Sequence, residues 1–363
     1  MIYIDASYYK QGITGLSRFS DELIDEILKI LDGKKTILFC FKGQNNNMFL
    51  KNKVVEINVS VSLFSYITLI SPRLARFILR FYFKGKGTIH YHDSIRFPGD
   101  IKGFKSIVTI HDIASLVFKD KYVFRSRLLK KSGLLRILSS EAKTIAVSKS
   151  TKLDLENFNK KFKNRVVVIG EGVNNLFLNQ DLKYLKNDNE KPFFLVVGSP
   201  HKRKNFESVY KAFKSFIAKN KYSYNLIFAG RNVKIFFQDI GINDFENIIF
   251  KHGVSDNELI KLYSNAYAYL NFSIHEGFGL TILEAMARKC LVLGSNTTAV
   301  YENIGGNGIT ASPFSIEDIE RALKDAVNLQ SKEKVMLIEK AYSSLNYKKW
   351  DYIANLYANF YEK

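Results

Sequence analysis

The chain has 363 residues, 46% of them hydrophobic, and a formal charge of +19. That length and apolar content suffice for two cores, and only five prolines with no low-complexity run argue against long disordered segments. No run reaches the roughly 18 uncharged apolar residues a membrane span needs, and the two cysteines, Cys40 and Cys290, stand in apolar contexts with neither disulfide nor metal spacing. The charge is uneven: residues 1–180 hold 30 Lys/Arg against 15 Asp/Glu, a net of +15, and the remainder 24 against 20, a net of +4. A nucleic acid, an anionic membrane surface or an anionic substrate would each account for that excess, as would drift in a chain rich in Lys, Asn, Ile and Phe.

In chain order, MIYIDASYYK carries an acid at its fifth position and no apolar h-region, which predicts a first strand and not a signal peptide. The loop GITGLSRF then opens a helix with the stripe Phe19, Leu23, Ile24, Ile27 and Leu28, an end ready for an anion. Strands are predicted at Thr36 to Phe41 and Val54 to Val59, followed by a helix from Pro72. There Leu74, Phe77, Ile78 and Phe81 form one face and Arg73, Arg76 and Arg80 another, so the helix either lies on a membrane or packs on the sheet with its basic face solvated. Strands at Thr88 to His92 and Ser106 to Ile110 lead to His111-Asp112, at a strand end where open α/β sheets bind ligands. His90 and His92 show no zinc spacing. The basic stretch Lys119 to Arg136, a strand at Thr144 to Val147, a helix capped by Ser148 and a strand at Val166 to Ile169 complete a first domain, 1–178. The polar run Asn179 to Lys191 reads as a linker.

A second domain, 192–345, repeats the plan with strands at Phe193 to Val197, Leu226 to Ala229, Ile248 to Phe250, Ala268 to Phe272 and Leu291 to Gly294. Helices follow the first strand at Phe206 to Ala218 and the third behind a Ser255/Glu258 capping box. The alternation predicts doubly wound parallel sheets. The most informative stretch is NFSIHEGFGLTILEAMARKC, Asn271 to Cys290: Glu276 precedes a Gly277-Phe278-Gly279 turn, and Glu284 lies inside the helix that starts near Leu280. Such a helix start offers unpaired N–H groups and partial positive charge to a phosphate, and glycines let the backbone come close. The two carboxylates, about 12 Å apart at helical rise, suit the two ends of an elongated ligand. Glu284 is placed to accept bonds from vicinal ribose hydroxyls, and Glu276 faces what lies beyond the phosphates.

This E-x7-E arrangement, with GFGL between the acids, resembles that of the retaining GT-B glycosyltransferases of family 4. The resemblance covers nearly the whole chain and implies an α/β fold of GT-B type: two Rossmann-like doubly wound domains facing a cleft, with a C-terminal helix, residues 346–363, crossing back to the first. By the same resemblance Gly15 and Arg18 lie near the donor phosphates, with Ser17 replacing a family glycine, and His111 reaches the donor sugar. In GSPHKRKN, Lys204 matches a diphosphate-gripping lysine, whereas Ser199 stands where many members carry an arginine; Arg203 or Arg231 would supply the missing charge. Val254 falls where the family's loop meets the base. The donor-binding set is thus Gly15, Arg18, Ser199, Arg203, Lys204, Arg231, Val254, Gly277, Phe278, Gly279, Leu280 and Glu284, and the catalytic pair His111 and Glu276.

The resemblance further implies transfer of a hexose from a nucleotide-diphosphate sugar to a glycan or glycolipid acceptor with retention, needing neither metal nor other cofactor. The basic, apolar-interleaved first half favours an acceptor in an anionic membrane, hence a cytoplasmic enzyme peripheral on the inner face of the cytoplasmic membrane, extending a lipid-pyrophosphate-linked glycan of bacterial surface polysaccharide (O-antigen or capsule). A GT-B sugar-nucleotide epimerase would leave the basic first domain unexplained, and no helix-turn-helix, RNP or zinc-finger signature supports nucleic acid as the partner.

Overall fold

The computed structural model describes residues 1–10, 14–31, 36–44, 54–118, 124–179, 191–220 and 222–362. Almost all of the 179–191 linker, the start of the GITGLSRF loop and the beginning of the 119–136 stretch lie outside them. The chain divides into two compact units. The first comprises Met1–Gly172 with the C-terminal helix from Trp350 onward, and the second Val173–Lys349.

The first unit is a parallel sheet of seven strands: β1 (Ile2–Asp5), β2 (Thr36–Phe41), β3 (Val54–Ile57), β4 (Gly87–Tyr91), β5 (Phe104–Ile110), β6 (Lys143–Ala146) and β7 (Val166–Val168), ordered β3-β2-β1-β4-β5-β6-β7. Order reverses between β1 and β4, so a crevice outside their carboxyl ends is the switch point where such sheets take ligands. One face packs α1 (Gly15–Ile30) through Phe19, Leu23 and Ile27 together with Trp350, Ala354 and Tyr357 of the C-terminal helix. That helix is held closely: a Cβ on Gly172 would lie 2.6 Å from the Trp350 ring, so only glycine admits the indole. His90 sits fully buried between Tyr361 Oη at 2.7 Å and Thr109 Oγ1 at 2.8 Å, a structural role for this histidine. Desolvation first, then His92, holds its pKa well below the usual value, so it stays neutral.

The opposite face is covered by α2 (Val61–Ile70), α3 (Pro72–Tyr82) and, past the four-residue α4 (Ala114–Val117), by α5 (Phe124–Leu138). Here α3 departs from the reading in which its apolar face packs on the sheet. Its core contacts come from Ala75 and Leu79, with Ile78 and Tyr82 packed beside them, whereas Leu74, Phe77 and Phe81 point to solvent. Arg76 donates to Pro98 O at 2.9 Å and Arg80 to Phe83 O at 2.6 Å, tying two of the three arginines to the unit. After β6, α6 (Lys149–Phe158) starts at its Ser148 cap.

In the second unit, α7 (Asn175–Leu178) precedes a six-stranded parallel sheet ordered β10-β9-β8-β11-β12-β13. Its strands are β8 (Phe193–Val197), β9 (Asn225–Ala229), β10 (Ile248–Lys251), β11 (Ala268–Asn271), β12 (Val292–Ser295) and β13 (Ile309–Ala311). Helices α8 (Phe206–Asn220), α9 (Val233–Asp239) and α10 (Asp256–Asn265) connect the first four strands, and α10 carries the expected Ser255/Glu258 capping box. Next come α11 (Leu280–Ala287), α12 (Thr298–Ile304), α13 (Ile316–Asn328) and α14 (Ser331–Ser343); the chain then returns to the first unit as α15 (Trp350–Glu362). Cys40 and Cys290 are both free and buried. Among the described residues, no helix is long and apolar enough to cross a membrane.

Candidate functional site

The carboxyl ends of β8 and β11 converge on Glu276. β8 ends at Val197 and runs into Gly198 and a 3₁₀ turn, Lys202–Lys204, closed by Asn205 in the left-handed conformation. Asn205 is buried, and its amide donates to Phe272 O at 3.1 Å and Pro313 O at 2.7 Å; Ile274 N donates to Arg203 O at 2.7 Å. These bonds stitch the KRKN turn to the loop leaving β11. Arg203 Nη1 therefore donates to Glu276 Oε2 at 2.6 Å and to His275 O at 3.0 Å, while Lys204 Nζ pairs with Glu276 Oε1 and Ser273 Oγ donates to the same oxygen at 2.9 Å. Glu276 is only 5% exposed. Burial alone would raise its pKa, but Lys204 and then Arg203 outweigh that and hold it at about 2.

Past Glu276 the chain turns through Gly277 and Phe278 to Gly279, whose φ of 94° is left-handed, and α11 begins at Leu280 with no side-chain cap. That start suits an anion. Phe278 O accepts from Asn303 Nδ2 at 2.6 Å, and Lys348 Nζ donates to Asn303 Oδ1 at 3.0 Å. Glu284, buried one turn along α11, accepts from Tyr263 Oη at 3.1 Å. Glu276 N donates to Thr298 Oγ1 at 3.4 Å, and Thr298 adopts φ 54°, a costly conformation for a β-branched residue. Neither Thr298 nor Asn303 was singled out in the sequence; the TTAVYEN run carries no spacing signal, and their roles emerge only once α12 is folded beside the turn.

Of the remaining donor-binding candidates in this unit, Ser199 and Arg231 are exposed, and Arg231, on the turn after β9, takes no part in the Glu276 cluster. The cation brought beside Lys204 is Arg203. Val254 lines a separate cavity of about 640 Å³ with Lys251, His252, Glu258 and Lys261, running along α10 over the β8–β10 face, and no member of the Glu276 cluster lines it.

In the first unit, His111 follows β5. Its Nδ1 lies 2.8 Å from Glu171 Oε1, its ring edge packs on Phe19 at 4.4 Å between centroids, and its buried Nε2 has no protein partner. Glu171, 4% exposed in the turn after β7, accepts from Nδ1 and fixes the orientation of the ring. The sequence offers Glu171 only as part of a Gly-Glu-Gly turn. Gly15 opens α1 with no atom within 4 Å of a Cβ placed on it, and Arg18 follows one turn later, half-buried. Among the described residues no three His, Cys, Asp or Glu side chains gather as a metal-ligand set.

Residues 177–344 match the family model of the glycosyl transferases group 1. The chain is 25% identical over 345 residues to the serotype-specific mannosyltransferase WbdA of Escherichia coli, covering 90% of this chain and 40% of WbdA. It is 28% identical over 234 residues to the O-antigen chain mannosyltransferase RfbU of Salmonella typhimurium, covering 61% of each. The chain thus spans less than two thirds of the length of either relative. Among solved structures it resembles WaaG, a glycosyltransferase involved in lipopolysaccharide biosynthesis, with a TM-score of 0.71 at 16% identity over 99% of both chains. It also resembles an E. coli trehalose-6-phosphate structure bound with UDP-2-fluoro glucose, with a TM-score of 0.74 at 10% identity over 100% of this chain and 99% of that one. The second unit thus carries the group 1 match, and the two Rossmann-like units share the GT-B fold of these solved structures.

Proposed function

We propose that the protein transfers a hexose, mannose being the sugar in its relatives' names, from a nucleotide-diphosphate sugar to a glycan acceptor linked to lipid pyrophosphate, in bacterial O-antigen or capsule assembly. The observation that carries this reading is the Arg203–Lys204–Glu276 cluster beside the Gly277-Phe278-Gly279 turn: two cations and an uncapped helix start for a diphosphate, and a carboxylate for the sugar next to it. Glu284, one turn along the same helix, takes the ribose hydroxyls. When donor binds, its diphosphate competes for Arg203 and Lys204, and Glu276 exchanges those partners for sugar hydroxyls.

Chemistry proceeds with retention. The bond from the anomeric carbon to the phosphate oxygen breaks, the acceptor oxygen bonds on the same face, and the leaving phosphate takes the acceptor proton. Charge grows on the diphosphate, where Lys204, Arg203 and backbone N–H groups stabilise it without a metal. His111, oriented by Glu171, contacts the donor sugar. The enzyme works on the inner face of the cytoplasmic membrane, where such an acceptor resides. Incubation with GDP-, UDP- and dTDP-sugars and a lipid-pyrophosphate glycan tests the proposal. The expected result is a product one hexose larger that keeps the donor's anomeric configuration; an inverted product refutes retention, and an epimerised donor without transfer refutes the reading.

A further inference from the structure

Two consecutive helices of the first unit turn apolar stripes toward solvent. On α2 the stripe is Leu63, Tyr66 and Ile70, and on α3 it is Leu74, Phe77 and Phe81, each at i, i+3, i+7. Ile70 is 79% exposed, Phe77 71% and Phe81 77%, values that for such large side chains describe protrusion rather than incomplete packing. Ser71 alone separates the two helices, so the stripes belong to one hairpin. Phe124, 71% exposed at the start of α5, adds to the same side: the guanidinium of its neighbour Arg125 stacks 4.1 Å over the Tyr66 ring.

The helices that carry this surface hold charges of one sign. Between Glu56 and Asp93 the chain holds five Arg/Lys and no acid, and α5 has five more and none. Arg73, Lys84, Lys86 and Arg125 are exposed. A cationic surface with protruding aromatic side chains is the composition that partitions into the interface of an anionic bilayer, where aromatic and aliphatic groups enter the acyl boundary and cations meet headgroup phosphates. A second copy of this chain would bring the same cations against each other.

We infer that the α2–α3 hairpin is the membrane-docking surface of this protein, inserting Ile70, Phe77 and Phe81 and placing Arg73, Lys84 and Arg125 at the headgroups of anionic lipid. The inference deepens the proposed function, on which it rests for an acceptor held in a membrane. The contact is the apolar stripe, with the cations flanking it.

The test is flotation of the full chain with vesicles of phosphatidylcholine alone or with about one third phosphatidylglycerol. The wild type is expected to float only with the anionic vesicles and to be released by high salt. Phe77→Ser with Phe81→Ser, and separately Arg73→Glu with Lys84→Glu, should each lower partitioning at least about tenfold with an unchanged melting temperature, since these side chains are exposed. A wild type indifferent to both vesicles, or both paired variants floating like it, overturns the inference. So does a wild-type dimer in light scattering that the Phe variant dissolves, since the occupant would then be a second copy. Thermal stabilisation by nucleoside diphosphates, measured without vesicles, reports on the donor site alone; its failure would sink the proposed function and leave the docking result standing.

Discussion

Replacing Glu276 with Gln separates three quantities that usually move together. In the wild type the buried carboxyl is held at about 2 against 4.5 in the unfolded chain, because Lys204 and Arg203 more than offset the desolvation that would raise it. At ~1.4 kcal/mol for each pH unit, that gap corresponds to about 3 kcal/mol of stability from the ionised group. A depressed pKa contributes in full above about pH 4.5 and is lost as the pH falls toward about 2. Glu276→Gln should therefore cost roughly 3 kcal/mol at pH 7, the difference from wild type narrowing below about pH 4.5 as the carboxyl of the unfolded chain takes up its proton while the native one is still ionised. Freed from their carboxylate, Arg203 and Lys204 remain available to a diphosphate, so nucleoside diphosphate affinity should hold or rise while kcat falls by orders of magnitude. Urea unfolding from pH 7 to 3, nucleotide titration calorimetry and turnover supply the three readouts. Wild-type and variant curves that stay parallel across that range, or a variant that loses nucleotide binding, would refute the account of the cluster.

Glu284→Ala should weaken nucleoside diphosphate binding by roughly 1.5–3 kcal/mol, the scale of hydrogen bonds to a charged group, and unchanged affinity would remove it from the ribose. His111→Ala should keep nucleotide affinity and lose most of kcat; Glu171→Gln, which leaves the ring but weakens its orientation, should fall between, and normal turnover in either variant would end its assigned role. Excess chelator should leave turnover within about twofold, because cations and helix N–H groups serve the leaving diphosphate; abolition restored by magnesium or manganese would overturn this.

Periodicity along the chain recovered most strands and the alternation that makes two parallel α/β sheets, since apolar stripes and turn residues are local, but it passed over α2 and β13. The spacing of Glu276 and Glu284 around a glycine turn was legible for the same reason: turn and helix lie within one continuous segment. Contacts between distant segments were not. That Arg203, and not Arg231, meets Glu276 depends on Asn205 bonding the β8 loop to Phe272 O and Pro313 O, partners 67 and 108 residues away. Glu171 reaches His111 across 60 residues because β5, β6 and β7 lie side by side and bring their ends together. The outward face of α3 was likewise settled by tertiary packing. An amphipathic sequence defines two sides of a helix, but the core accepted the side of Ala75 and Leu79, with Ile78 and Tyr82 beside them, and left Leu74, Phe77 and Phe81 to the solvent.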